Sequence, residues 1–210
     1  MKKEDIVKRN KKRIWCPGCG LFAVEKVISE EIVNIGWNRK NTVIVSGIGC
    51  SARISEYFNL DSMHVTHGRT IPVAEGIKLA NPDINVIIIS GDGDLISIGG
   101  NHLLHAIQKN PNIKVFCNNN RVYAMTGGQS SATTPKDEKT KTDPEGRGIG
   151  EIDLEKLFKE KDNVFFEKTD ALNIEDFRKK VKISLKTKNF SFLDIISPCV
   201  AHSRRKGFGF

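Results

Sequence analysis

The sequence predicts an α/β fold with a mostly parallel sheet and helices on both faces. Three observations carry this. Short β-branched runs alternate with stretches of helical period, the usual signature of strand–helix–strand units. The run Asn85-Val86-Ile87-Ile88-Ile89-Ser90 is apolar on both faces, as a central parallel strand must be. A chain of 210 residues is long enough for one well-buried domain and too short for two large ones, so residues 1–210 are read as a single domain.

The elements follow in order. Leu21, Val24, Ile28, Ile32 and Ile35 recur at helical spacing, and Gly36 supplies a stop. Thr42-Val43-Ile44-Val45-Ser46 reads as a buried strand running into Gly47-Ile48-Gly49-Cys50. Thr70 is placed to cap a helix with Pro72 in its first turn, continuing through Ala74, Ile77 and Leu79. After the strand at 85–90, a helix is expected over Asn101 to Lys109, then a strand over Ile113 to Cys117. Thr133 to Gly150 is rich in Lys, Asp, Glu, Thr, Pro and Gly without apolar period, so 133–150 is a long polar loop, the kind of segment that serves as a lid or binding loop. A helix (Leu154, Leu157, Phe158), a strand (Val164-Phe165-Phe166), a helix (Phe177, Val181, Leu185) and a last strand (Phe192 to Ile196) complete the pattern.

Composition narrows the function classes. No apolar run approaches the roughly 20 residues of a membrane span. The charged start, Met1 to Asp5, lacks the apolar core of a signal peptide, so the expectation is a cytoplasmic protein that binds neither membrane nor nucleic acid. The net charge of +8 is concentrated in Lys8-Arg9-Asn10-Lys11-Lys12-Arg13 and Arg204-Arg205-Lys206, which read as solvated arms or a docking surface for an acidic partner. Five cysteines (Cys16, Cys19, Cys50, Cys117, Cys199) point to metal or redox work rather than disulfides in that compartment.

Gly91-Asp92-Gly93-Asp94 sits at the carboxyl end of the clearest strand, where open α/β sheets bind ligands. Glycines there admit a phosphate, and a following helix end offers N–H groups to an anion. An Asp beside a bare phosphate would repel it, but a divalent cation between carboxylate and diphosphate reverses the sign, and Mg²⁺ favours such oxygen donors. The next strand ends in Asn118-Asn119-Asn120; twenty-five residues, 94–118, separate Gly93 from Asn119, enough for one helix and one strand returning to the same sheet edge. Cys16 and Cys19 form a Cys-x-x-Cys pair, and Cys50 and Cys199 each follow a predicted strand. Four thiolates suit Zn²⁺ or a [4Fe–4S] cluster; scattered single ligands favour the cluster over a zinc ribbon built from two close pairs. Cys117 lies inside an apolar strand and reads as a small buried hydrophobe.

The Gly-Asp-Gly…Asn-Asn pattern resembles the thiamine diphosphate motif, and its surroundings resemble the β subunits of 2-oxoacid:ferredoxin oxidoreductases. The matching blocks are 15–20 (Trp-Cys-Pro-Gly-Cys-Gly), 46–51 (Ser-Gly-Ile-Gly-Cys-Ser), His67-Gly68-Arg69, 91–94 with 98–102, Tyr123 with 125–129, and Ser197-Pro198-Cys199. The resemblance implies a thiamine diphosphate-binding (pyrophosphate-type) domain. Asp92, the Asn120 side chain and the Val122 carbonyl would coordinate Mg²⁺. Ile48, Gly49, Cys50, Ser51, His67, Gly91, Gly93, Asp94, Ala124 and Met125 would line the cofactor. Cys16, Cys19, Cys50 and Cys199 would hold a [4Fe–4S] cluster. It further implies CoA-dependent oxidative decarboxylation of a 2-oxoacid with electrons passed to ferredoxin. An α subunit would supply the carboxylate that activates thiamine, with small γ and δ subunits as further partners. The blocks stand closest to the 2-oxoglutarate branch, with pyruvate and branched-chain acids as alternatives. Ala124 departs from the family's usual Gly, and the chain stops soon after Cys199, where many relatives continue.

His67 is the polar group expected near the reacting carbon, and Arg53, three residues past Cys50, is expected to pair with a substrate carboxylate. His102 and His105 are assigned packing roles. Two other functions compete: a non-redox thiamine diphosphate decarboxylase, which needs no cysteine quartet, and a basic zinc-binding nucleic-acid module, which leaves Asp92, Asn119 and Asn120 unexplained.

Overall fold

A computed structural model describes residues 6–159, 161 and 163–202; the basic run Arg204 to Lys206 lies outside them. Six parallel strands form the main sheet: β1 (Thr42–Ser46), β2 (Asp61–His64), β3 (Asn85–Gly91), β4 (Lys114–Asn119), β7 (Phe165–Asp170) and β8 (Ser191–Ile196), ordered β2-β1-β3-β4-β8-β7. A short antiparallel pair, β5 (Val122–Tyr123) and β6 (Gln129–Ser130), stands beside it. The helices are α1 (Leu21–Asn34), α2 (Thr70–Ala80), α3 (Gly100–Lys109), α4 (Leu154–Phe158) and α5 (Ile174–Lys186).

The helices cover both faces, because the strands' side chains alternate between two apolar layers. On one face, Ile87 and Ile89 of β3, Phe116 of β4, and Leu193 and Ile195 of β8 pack against Val24, Ile28 and Ile32 of α1 and Phe177 and Val181 of α5. On the other, Val86 and Ile88, Val115 and Cys117, and Phe192 meet Ile71 and Ala74 of α2, Leu103 and Ile107 of α3, and Leu154 and Phe158 of α4. Each fully buried Leu, Ile, Val or Phe contributes about 1.5–3 kcal/mol. Cys117 is therefore core, as its place in the strand predicts. Arg178 ties α5 to α1 through Glu30 and, at 2.8 Å, Glu31.

The strand order fixes where a ligand can enter. The chain runs from β1 outward to β2, then crosses back over β1 to β3. The reversal lies between β1 and β3, and a crevice opens outside the carboxyl ends of two strands whose connections leave in opposite directions.

Several boundaries differ from the sequence expectation. β2 escaped it because all four residues, Asp61-Ser62-Met63-His64, are exposed and show no apolar alternation. Thr70 does not cap α2; Arg69 occupies that position, and the Thr70 hydroxyl instead donates to Asp94 Oδ2 at 3.3 Å. Between β3 and α3 the chain forms a π-helical turn, Gly93–Ile98, and a 3₁₀ segment, Ala52–Tyr57, follows β1. The 133–150 segment has no helix or strand but is not a loose lid. Arg147, 9% exposed, donates to the carbonyls of Ser131 and Thr134, and Asp143 takes hydrogen bonds from Ser130 and Thr142. The basic N-terminal run is only partly a free arm. Lys8 N–H donates to the Tyr57 carbonyl at 2.7 Å, Arg13 pairs with Glu25 across the Tyr57 ring, and Lys11 pairs with Glu56. Among the described residues no helix is long and apolar enough to cross a membrane.

Candidate active site

A cleft opens at the strand reversal. The loop after β1 contributes Ile48, Gly49, Cys50 and Ser51; the turn after β3 contributes Gly91, Asp92, Gly93 and Asp94; the loop after β4 contributes Asn120, Val122, Tyr123, Ala124, Met125 and Thr126; His67 closes one side. Close backbone approach explains the glycines. A Cβ on Gly93 would stand 2.4 Å from Tyr123 Cε1, and one on Gly47 would stand 2.2 Å from both Asp94 carboxylate oxygens. Gly49 has φ +114°, a conformation other residues rarely adopt, with open space where a side chain would lie.

The two aspartates do different work. Asp94, with a fully buried carboxylate, is saturated by the protein. Its Oδ1 contacts His67 Nδ1 at 2.6 Å and accepts the N–H groups of Gly68 (2.7 Å) and Ile48 (3.3 Å); Oδ2 accepts the hydroxyls of Ser90 (2.9 Å) and Thr70 (3.3 Å). One carboxylate thus ties the β1, β3 and 67–70 loops together, and it fixes the His67 ring by one nitrogen.

Asp92 is equally buried, but the groups that hydrogen-bond to it are neutral. Burial pushes its carboxyl above the ordinary range, opposed by the hydroxyls of Ser131 and Thr133 and the Asn120 N–H. An ionised carboxylate out of water without a cation is costly, so this is a site that a divalent ion would stabilise. Asp92, the Asn120 amide oxygen and the Val122 carbonyl are hard oxygen donors of the kind Mg²⁺ takes, and all three residues line the cleft. The donor set fits that ion. Asn120 Oδ1 also accepts the Val122 N–H at 3.1 Å, which leaves it a second lone pair.

The four cysteines meet at one rim. Trp15 Nε1 donates to the Cys50 carbonyl at 2.8 Å, fastening the Cys16 segment beside the β1 loop. Gly20 N–H donates to the Pro198 carbonyl at 3.3 Å, and a Cβ on Gly20 would stand 2.3 Å from Ser197 Oγ, so the turn carrying Cys19 lies directly on the segment leading to Cys199. Burial pushes the Cys19 thiol up to about 11, and Cys199, Cys50 and Cys16 add to the shift; Cys50 is likewise raised by burial and then by Cys199 and Cys16. Cys19 and Cys50 thus each lie within electrostatic reach of the other three thiols. Among the described residues no three His, Cys, Asp or Glu converge on a single-ion site. The Ser197 hydroxyl is buried at this seam with no hydrogen-bond partner, so a polar group seated there would be met by a free donor. Cys50 belongs to both features, lining the cleft and joining the rim.

The thiamine pyrophosphate enzyme family, through its C-terminal TPP-binding domain, matches residues 47–195. The 2-oxoglutarate synthase subunit KorB of Archaeoglobus fulgidus is 38% identical over 195 residues, 92% of this chain and 72% of the relative. The 2-oxoacid:ferredoxin oxidoreductase subunit beta of a Sulfolobus species is 36% identical over 191 residues, 90% of this chain and 63% of that one. The chain belongs to the 2-oxoacid:ferredoxin oxidoreductase β subunits. The solved 2-oxoglutarate:ferredoxin oxidoreductase from Magnetococcus marinus, with 2-oxoglutarate, coenzyme A and succinyl-CoA bound, superposes with TM-score 0.91 at 30% identity, covering 96% of this chain and 69% of that one.

As a thiamine pyrophosphate enzyme, the β subunit takes thiamine diphosphate as its cofactor. Every cofactor-lining residue expected from the sequence lies on the cleft. Arg53 does not: its Nη1 pairs with Glu56 Oε1 at 2.6 Å on the 3₁₀ segment, and it is not among the residues lining the cleft. His105 is exposed, contrary to the packing role expected of it, whereas His102 is half-buried with Nε2 unpartnered. Sequence reasoning missed Ser131 and Thr133 under Asp92, and Asp194, whose carboxylate accepts Asn119 Nδ2 at 3.0 Å. The sequence signal for Ser131 and Thr133 was hydroxyl residues at the start of an otherwise charged stretch, and for Asp194 a lone carboxylate inside an apolar strand.

Proposed function

We propose that this β subunit holds thiamine diphosphate through a Mg²⁺ ion on Asp92, Asn120 and the Val122 carbonyl. It passes electrons from a 2-oxoacid to a [4Fe–4S] cluster on Cys16, Cys19, Cys50 and Cys199, and thence to ferredoxin. The observation that carries this reading is Cys50, which lines the cofactor cleft while lying within electrostatic reach of the other three thiols. A thiolate shared by cleft and rim gives electrons a short path between them. Thiol sulfurs around a four-iron cluster stand further apart than the ligands of one ion, which agrees with the spread of the quartet.

Thiamine diphosphate, when bound, supplies the electron sink for decarboxylation. The chain's own residues do the rest. Asp92 would neutralise and anchor the metal–diphosphate end, and the glycines at 91 and 93 would admit it against the backbone. Asp94 accepts the His67 Nδ1 proton and leaves Nε2 to hold or move a proton at the reacting end. Among the described residues the carboxylates lining the cleft are Asp92 and Asp94, both engaged; the family resemblance assigns the group that activates the thiamine pyrimidine to an α subunit. The substrate is 2-oxoglutarate with coenzyme A as acyl acceptor, supported by the KorB relatives and by the ligands of the Magnetococcus structure. Arg53, paired with Glu56 and off the cleft, is given no part in this reading.

The experiment is anaerobic purification with the α subunit. The expected outcome is brown protein with about four irons per β chain that reduces ferredoxin when 2-oxoglutarate and coenzyme A are added. Colourless protein that releases CO₂ without reducing ferredoxin would instead make it a non-redox decarboxylase.

A further inference from the structure

The segment after β6 brings a residue from outside the cleft lining against Asp92. Thr133 is 5% exposed, and its hydroxyl stands 2.9 Å from Asp92 Oδ2 and 2.8 Å from Asn119 Oδ1. A threonine hydroxyl has one proton and can satisfy only one of these acceptors at a time. Asn119 Oδ1 already accepts the Arg121 N–H at 3.2 Å, and its amide orientation is set from the far side, where Nδ2 donates to Asp194. With a cation bound to Asp92 its ionised oxygen would be the stronger acceptor, and a charge-assisted bond to it is about twice as strong as a neutral one. On the other oxygen, Oδ1, the Asn120 N–H is the donor at 3.4 Å. Together these donors set the plane of the carboxylate.

Thr133 is itself held firmly. Ala132 N–H donates to Ser97 Oγ at 2.8 Å, the Thr134 hydroxyl donates to the Arg121 carbonyl, and Arg147 Nη1 donates to the carbonyls on either side, Ser131 (2.7 Å) and Thr134. The polar segment thereby reaches Asp92 through the Thr133 hydroxyl, with the Ser131 hydroxyl acting on the same carboxylate.

We infer that Thr133 is a positioning residue for Asp92: its hydroxyl aims the carboxylate at the cation that carries the diphosphate, and Arg147 clamps Thr133 in place. This rests on the reading of Asp92 as a metal ligand. Partners of this kind fix the orientation and basicity of a ligand, and their loss typically costs about 10–100-fold in metal affinity.

The test uses the αβ complex, stripped of metal, with thiamine diphosphate present, and titrates Mn²⁺ while free Mn²⁺ is followed by its EPR signal. Thr133→Val, nearly equal in volume, should raise the half-saturating Mn²⁺ concentration about 10–100-fold while iron content stays at wild type. Thr133→Ser, which keeps the hydroxyl, should restore wild-type binding. An unchanged Mn²⁺ midpoint in Thr133→Val overturns the inference. Should that variant not fold, Thr133→Cys, a weak donor of similar size, takes its place with the same two outcomes. Asp92→Ala separates this inference from the reading beneath it. If Asp92→Ala abolishes Mn²⁺ binding and Thr133→Val does not weaken it, only the role of Thr133 falls; if Asp92→Ala binds Mn²⁺ normally, both fall.

Discussion

The floor of the cleft and the cysteine rim lie at the same edge of one sheet, yet they are prepared for their ligands in opposite ways. At the floor, neutral donors from two other segments already hold Asp92, and Asp94 is saturated by five groups. At the rim, backbone seams bring the thiols together, and burial raises the Cys19 and Cys50 thiols. The floor is therefore ready to receive a cation, whereas a metal at the rim would have to displace thiol protons, which would couple its binding to pH and to the packing of the seam. Two such sites can be broken separately.

The largest expected effect is at the rim. Cys19→Ser should take iron from about four per chain to near zero, while Mg²⁺-dependent binding of thiamine diphosphate in the αβ complex, measured calorimetrically, stays close to wild type. Loss of both together would show that the two sites are one structural unit. Next, Asp92→Ala should weaken cofactor binding by more than the roughly 10–100-fold expected for an outer partner, with iron content retained. Gly93→Ala comes third: the new methyl must displace Tyr123 or the turn, costing about 1–3 kcal/mol of stability and weakening thiamine diphosphate binding, read by thermal unfolding and calorimetry.

The smallest effect is a pH dependence. Burial raises the Asp194 carboxyl from its ordinary 3.8 to about 6. An acid raised in the folded state binds its proton more tightly there than in the unfolded chain. Its favourable contribution is present below about pH 4 and is lost as pH rises towards 6. Urea midpoints of wild type relative to Asp194→Asn should therefore fall across that window and be flat above it. A wild-type curve parallel to that of the variant would mean that Asp194 titrates normally.

The floor was far more legible in the sequence than its support. Gly91 to Asp94 and Asn120 follow two strands that are consecutive both in the chain and in the sheet, so spacing alone brought them to one edge. The cysteines were legible as ligand types, but their meeting depends on Gly20 packing on Ser197, a contact between distant segments that no local period reports. β2 was invisible because an edge strand exposed on both faces carries no apolar alternation. Arg53 was misjudged because nearness in sequence to Cys50 says nothing of which way a 3₁₀ turn points a side chain, and Glu56 lies one turn away to capture it. The contact of Thr133 with Asp92 was hidden because composition marks its segment as solvated, whereas its hydroxyl is buried against that carboxylate.

Anomalous diffraction from crystals of the αβ complex grown with Mn²⁺ and thiamine diphosphate addresses the metal floor directly. A single manganese peak about 2.1–2.2 Å from oxygens of Asp92, Asn120 and Val122 is the predicted result. A peak elsewhere, with the Asp92 carboxylate facing only Ser131 and Thr133, would contradict it.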